Sequence, residues 1–145
     1  MLPVYVLFVN CSVYAGFGKE AEVFKMDEVR QQQIEALGMV AEYMDKLIPS
    51  MEQVISEIKG DMQEDTVDFL LQIIDGLNFV IEVYNATETI VNGDDPLINK
   101  DVFESVVQKL SDGFAKKDYK AIANELDESI VPFLKVFREA ARRAQ

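Results

Sequence analysis

The sequence predicts a mainly α-helical protein: an up-down four-helix bundle with two proline-kinked helices, preceded by an N-terminal β-hairpin. Three observations carry this expectation. Apolar residues recur at three- and four-residue steps in four separate runs, the spacing that gives a helix one apolar face. Dense turn chemistry separates the runs, and short connections favour antiparallel neighbours. The first 18 residues, MLPVYVLFVNCSVYAGFG, contain no charged side chain, although charged residues make up 28% of the chain. The 145 residues, 49% of them hydrophobic, suffice for one domain with a sizeable core. Residues 1–25 are expected to form the hairpin and an association segment, and residues 26–145 the helical domain.

The opening segment reads poorly as a leader or an anchor. A secretory signal places a positive region ahead of its apolar run, and here no Lys or Arg precedes Lys19. A membrane helix needs about 20 apolar residues, whereas Pro3, Asn10, Ser12, Gly16 and Gly18 interrupt this stretch. VYVLFV at 4–9 is rich in the β-branched and aromatic residues that favour strands. KEAEVFK at 19–25 partly alternates polar with apolar, and AGFG between them supplies two glycines for a turn. Along 4–9 successive side chains alternate faces, so apolar groups lie on both sides of the strand. One face can cover the ends of the helices, and the other is then exposed in a monomer unless the chain's own helices sandwich the hairpin. Val4, Tyr5, Val6, Leu7, Phe8 and Val9 are therefore the expected interface, with a homodimer as the expected assembly.

Helical periodicity takes over at residue 26. The first stripe runs Ile34, Leu37, Val40, Met44, Leu47, Ile48, Met51, Val54, Ile55, Ile58, with Asp27 as the expected N-cap and Gly60 as the stop. Pro49 lies inside this stripe and predicts a kink rather than a break, because the stripe passes through it in phase. The second helix starts near Asp65 or Thr66 and presents Leu70, Ile73, Ile74, Leu77, Val80, Ile81, Tyr84 and Val91, with Phe69 and Phe79 broadening the face. NGDDP at 92–96 ends it. The third, capped by Asn99 or Asp101, presents Val102, Phe103, Val106, Val107, Leu110 and Phe114. Asp118 caps a fourth that turns Tyr119, Ile122, Leu126, Ile130, Leu134, Phe137 and Ala141 inward, kinks at Pro132, and gathers Lys and Arg near its end, where they suit the helix dipole.

The segments FLLQIIDGLNFVIEVYNAT and KKDYKAIANELDESIVPFLKVF resemble a family of small, all-helical bacterial proteins of unknown function. In that family the last helix begins Asp-Tyr, matched here by Asp118 and Tyr119. It continues through Ala-Asp-x-Leu-Glu-Tyr-Glu-Leu-x-Pro, to which Ala123, Asn124, Leu126, Asp127, Glu128, Ser129, Ile130 and Pro132 correspond. Asn124, Glu128 and Ser129 depart from the pattern. The resemblance covers about residues 30–140 and implies a bacterial, cytoplasmic protein, with no catalytic residues to carry over.

Composition narrows the function. The net charge is −12. It is concentrated in residues 27–104, where 18 acidic residues face 4 basic ones; residues 105–145 hold 6 acidic and 8 basic residues. Such a surface repels phosphate backbones, so no nucleic-acid partner is expected. A single cysteine, Cys11, allows no internal disulfide and suits a reducing compartment. Histidine is absent, which removes the commonest general base and zinc ligand and the usual Ser-His and Cys-His nucleophile pairs. No catalytic residues, cofactor or metal are assigned, and no membrane span is expected. Asp94, Asp95, Asn99, Asp101 and Glu104 supply oxygens suited to calcium but lack the EF-hand order, so a solvated loop with a helix cap is the simpler expectation. Two non-enzymatic functions follow: a self-association or protein-interaction module, its further protein partner unknown, or a small-ligand-binding or regulatory bundle with a pocket among Phe69, Phe79, Phe103, Phe114 and Phe137.

Overall fold

The computed structural model of the chain describes residues 23–145. It is mainly helical: α1 (Val23–Lys59), α2 (Thr66–Val91), α3 (Lys100–Lys116), and a fourth rod in which α4 (Tyr119–Glu125) passes through a π-helical turn (Leu126–Ile130) into α5 (Val131–Arg143). The expected hairpin falls on residues 1–25. Its residues 1–22 lie outside the described residues, and residues 23–25, expected at the end of a strand, are helical. Asp27 consequently lies within α1 and is not its cap.

The stripe on α1 is buried as expected from Leu37 to Ile58, joined by Ala41. Its two flanks receive different neighbours. Along one, α2 runs antiparallel: Gln33 Nε2 donates to the Ala86 carbonyl (2.7 Å) at one end, and Thr66 Oγ1 donates to Glu57 Oε1 (2.8 Å) at the other. Between them the helices approach closely at Gly76, where a Cβ would overlap the Tyr43 hydroxyl and press on Leu47 Cδ1 at 3.1 Å. Along the other flank, α5 runs antiparallel through a ladder of charges. Lys59 pairs with Asp127 (2.9 Å), Glu52 with Lys135 (3.7 Å), and Asp45 with Arg138 (3.2 Å) and Arg142. Asp45, Glu52 and Lys59 stand seven residues apart, two helical turns, and so share one face.

The connections are built from side-chain oxygens that take up free backbone N–H groups. Before α2, Thr66 is fully buried; its hydroxyl accepts from the Gln63 N–H (2.8 Å) while donating to Glu57. Before α3, Asn99 accepts from the N–H groups of Asp101 (2.8 Å) and Val102 (3.3 Å), and before α4, Asp118 accepts from that of Ala121 (3.2 Å). The α3–α4 corner is a Schellman closure: Asp118 N–H donates to the Gly113 carbonyl (2.8 Å) and Lys117 N–H to that of Phe114 (3.2 Å). It holds Lys117 in the left-handed region at φ 54°.

The two expected proline kinks are not supported. α1 continues without interruption through Pro49, which is exposed, so the carbonyl of Asp45 left without a donor stands on the wet side of the helix. Ahead of Pro132 the departure is the π turn, in which the Val131 N–H reaches back five residues to the Leu126 carbonyl. Two residues assigned to apolar faces are exposed, Phe79 and Val102, and Ile34 is only half-buried.

Two stability outcomes follow. Replacing Lys117 by Gly removes the steric cost of the left-handed conformation, about 1–2 kcal/mol, against a glycine entropy cost of about 0.5–1 kcal/mol. The urea midpoint should rise, and a fall would show that the Lys117 side chain contributes more than its backbone costs. Asp45→Ala strips both Arg138 and Arg142 and should cost about 1 kcal/mol, whereas Glu52→Ala, losing one exposed pair, should cost under about 0.5 kcal/mol. Equal losses in denaturant titrations would contradict the ranking.

Candidate functional site

The residues of the α2–α3 loop were the first candidates for a site. Asn92, just past the end of α2, organises it: its Oδ1 accepts from the Tyr84 hydroxyl (2.9 Å) and from the Leu97 N–H (3.1 Å). Gly93, at φ 54°, makes the left-handed turn that follows. Asp94, Asp95, Asp101 and Glu104 are exposed, and the oxygen of Asn99 is committed to the α3 cap. Among the described residues no group of three or more His, Cys, Asp or Glu side chains could hold a metal ion. The segment has the geometry of a capped loop.

The five phenylalanines expected around a pocket do not converge. Phe79 lies at the surface of α2 and Phe69 is half-buried. Phe103 and Phe137 instead meet at Phe133, with centroids at 6.2 and 6.0 Å, and Tyr84 stands edge-on to Phe133 (5.0 Å) and Phe137 (5.2 Å). Phe133 was not among the expected core residues, and neither were Val131 and Ala123, yet all three are buried. Pro132 is the sole sequence sign of the irregular turn ahead of Val131 and Phe133. This cluster is packed aromatic core, edge-to-face and stacked.

Two surface features remain. One is an open groove of 490 Å³ beside the charge ladder, lined by Glu35, Gly38, Met39, Glu42, Asp45, Arg142 and Gln145. Two of its polar side chains are engaged: Arg142 with Asp45 and Glu139, and Gln145 Nε2 with the carbonyls of Ile34 (3.0 Å) and Ala141 (3.3 Å). The other is an apolar seam between α1 and α2. Tyr43 and Phe79 meet edge-on at 5.5 Å across it, and Met39 stands one turn before Tyr43 on α1. Met39 is 66% exposed, Phe79 41% and Tyr43 37%. Neither Tyr43 nor Met39 belongs to the stripe read from the sequence. The expected interface residues Val4, Tyr5, Val6, Leu7, Phe8 and Val9 lie outside the described residues. Among the described residues no helix is long and apolar enough to cross a membrane.

Residues 35–140 match a family described as a domain of unknown function, DUF8042. The matched range covers all four helical rods except the first turns of α1 and the last residues of α5. No curated protein and no solved structure matches the chain.

Tyr84 offers a direct test of the loop. Burial raises its hydroxyl above the ordinary value of 10.0, opposed by the bond to Asn92 and reinforced by the nearby Glu88 carboxylate. A raised folded value contributes stability that is intact below the unfolded value and lost as pH climbs through the folded one. Tyr84→Phe should cost about 1 kcal/mol at neutral pH. The gap between the two proteins in urea titrations should then narrow as pH passes 10. A gap that stays constant would show that the hydroxyl does not titrate with folding.

Proposed function

The chain belongs to the DUF8042 family, and from its own residues we propose that it acts as a non-enzymatic, cytoplasmic association module: a helical bundle that forms a homodimer through Val4, Tyr5, Val6, Leu7, Phe8 and Val9. The observation that carries this reading is the overhang of α1. Among the described side chains, the first hydrogen bonds between α1 and the other helices are those of Gln33 with Ala86 and of Ile34 with Gln145. Residues 27–32 are all exposed, and these six residues span about 9 Å. A helical stub of this length is marginal by itself in water. It leads the chain off the bundle toward the uncharged segment, which on this reading meets a neighbouring molecule. The single cysteine supports placement in a reducing compartment.

Two chains that each carry a net charge of −12 repel one another, so an apolar contact between them should tighten with salt as that repulsion is screened. Light scattering at micromolar concentration should give a dimer for the full chain and a monomer once residues 1–22 are removed. Added salt should shift the full chain toward dimer. A full-length monomer, or a dimer that persists after the deletion, would refute this reading.

A further inference from the structure

We infer that the seam of Met39, Tyr43 and Phe79 is the seat on which residues 4–9 of a second copy dock, so that each chain lends its opening segment to its partner. This rests on the homodimer reading above and adds the surface that receives the segment.

The argument starts from charge. Residues 27–104 carry 18 acidic and 4 basic side chains, so helical faces of two copies approach one another unfavourably. An uncharged element closes on such a surface without repulsion, and the first 18 residues have no charge. The receiving surface must in turn be apolar. The seam supplies three large apolar side chains from two different helices, two of them aromatic and already fixed against each other at 5.5 Å. Rigid aromatic side chains of this kind are preferred anchors at interfaces because little conformational entropy remains to be lost.

Reach and direction favour the second copy over the same chain. The 22 residues before Val23 could extend about 70 Å, so length does not limit the segment. The exposed turns of α1 at residues 27–32, however, lead the chain about 9 Å along the helix axis away from Met39 before that segment is reached. Mutual exchange about a two-fold axis fills both seats and closes the assembly at two.

The test combines three forms of the protein. The first lacks residues 1–22. The second is Met39→Glu with Phe79→Glu, both exposed helical positions where glutamate suits the backbone; circular dichroism and the urea midpoint establish that it is folded. The third is the unaltered protein. The double variant is expected to weaken dimerisation by roughly tenfold or more. The decisive experiment mixes the deletion, which keeps the seam, with the double variant, which keeps the segment. At concentrations where neither self-associates, exchange requires a one-sided heterodimer. A heterodimer supports the seat. No heterodimer means that opening segments pair with one another, which overturns it. If the double variant dimerises as tightly as the unaltered chain while the deletion is monomeric, the homodimer stands and the seat falls. If the unaltered chain is monomeric, both fall.

Discussion

One stripe on α1 sets the position of everything packed against it. Ten apolar side chains between Leu37 and Ile58 are buried along a single face, and all but Ala41 contribute about 1.5–3 kcal/mol each when fully withdrawn from water. A face of that width has two flanks, and each takes one antiparallel helix: α2 on the side of Tyr43 and Leu47, α5 on the side of Asp45 and Glu52. The charges on the second flank contribute little individually at their exposure. Their value is in pairing opposite signs best in one alignment: sliding α5 by a turn would leave Asp45 with one of its two arginines and separate Glu52 from Lys135 and Lys59 from Asp127. Apolar burial therefore supplies the stability, and the ladder favours one register.

The ends of the helices show the same economy. Glu57, Thr66 and Gln63 knot the α1–α2 turn, and Asn92 joins the side chain of Tyr84 to the backbone of Leu97. Each knot ties a connection to a buried residue, so the loops are fixed by the core they serve. The α3–α4 corner is closed chiefly by the backbone carbonyls of Gly113 and Phe114, with Asp118 capping α4, and there the chain tolerates a lysine in a conformation that glycine adopts more readily.

Most of the helical architecture was legible because periodicity is a property of sequence. Leu37 through Ile58, Leu70 through Tyr84, and Ile122 through Ala141 fell where three- and four-residue spacing put them. The caps at Asn99 and Asp118 were legible for the same reason: their oxygens act on N–H groups two or three residues away. What depended on non-local geometry was not. The alternation over residues 19–25 suggested a strand, but Val23–Lys25 continue a 37-residue helix, as helix propagation favours once a long segment has formed. The π turn needs five-residue hydrogen bonds that no composition announces. Phe79 is apolar yet sits off the buried face, and its contact with Tyr43 joins residues 36 apart, so the seam could be found only by folding the chain. The opening segment, by contrast, was conspicuous from composition alone.

The placement of Tyr43 has an optical consequence. The chain contains five tyrosines and no tryptophan, so no indole absorbs the energy that excited phenols emit. Tyr43 stands with its hydroxyl over the backbone of Gly76 and its ring against Phe79, one side still facing solvent. Anything that settles on that side changes both its access to dissolved quenchers and the polarity around its ring. The protein thus carries a native fluorophore at the surface where an occupant is to be sought, readable without a label once a Tyr43→Phe chain has given the share of the other four tyrosines.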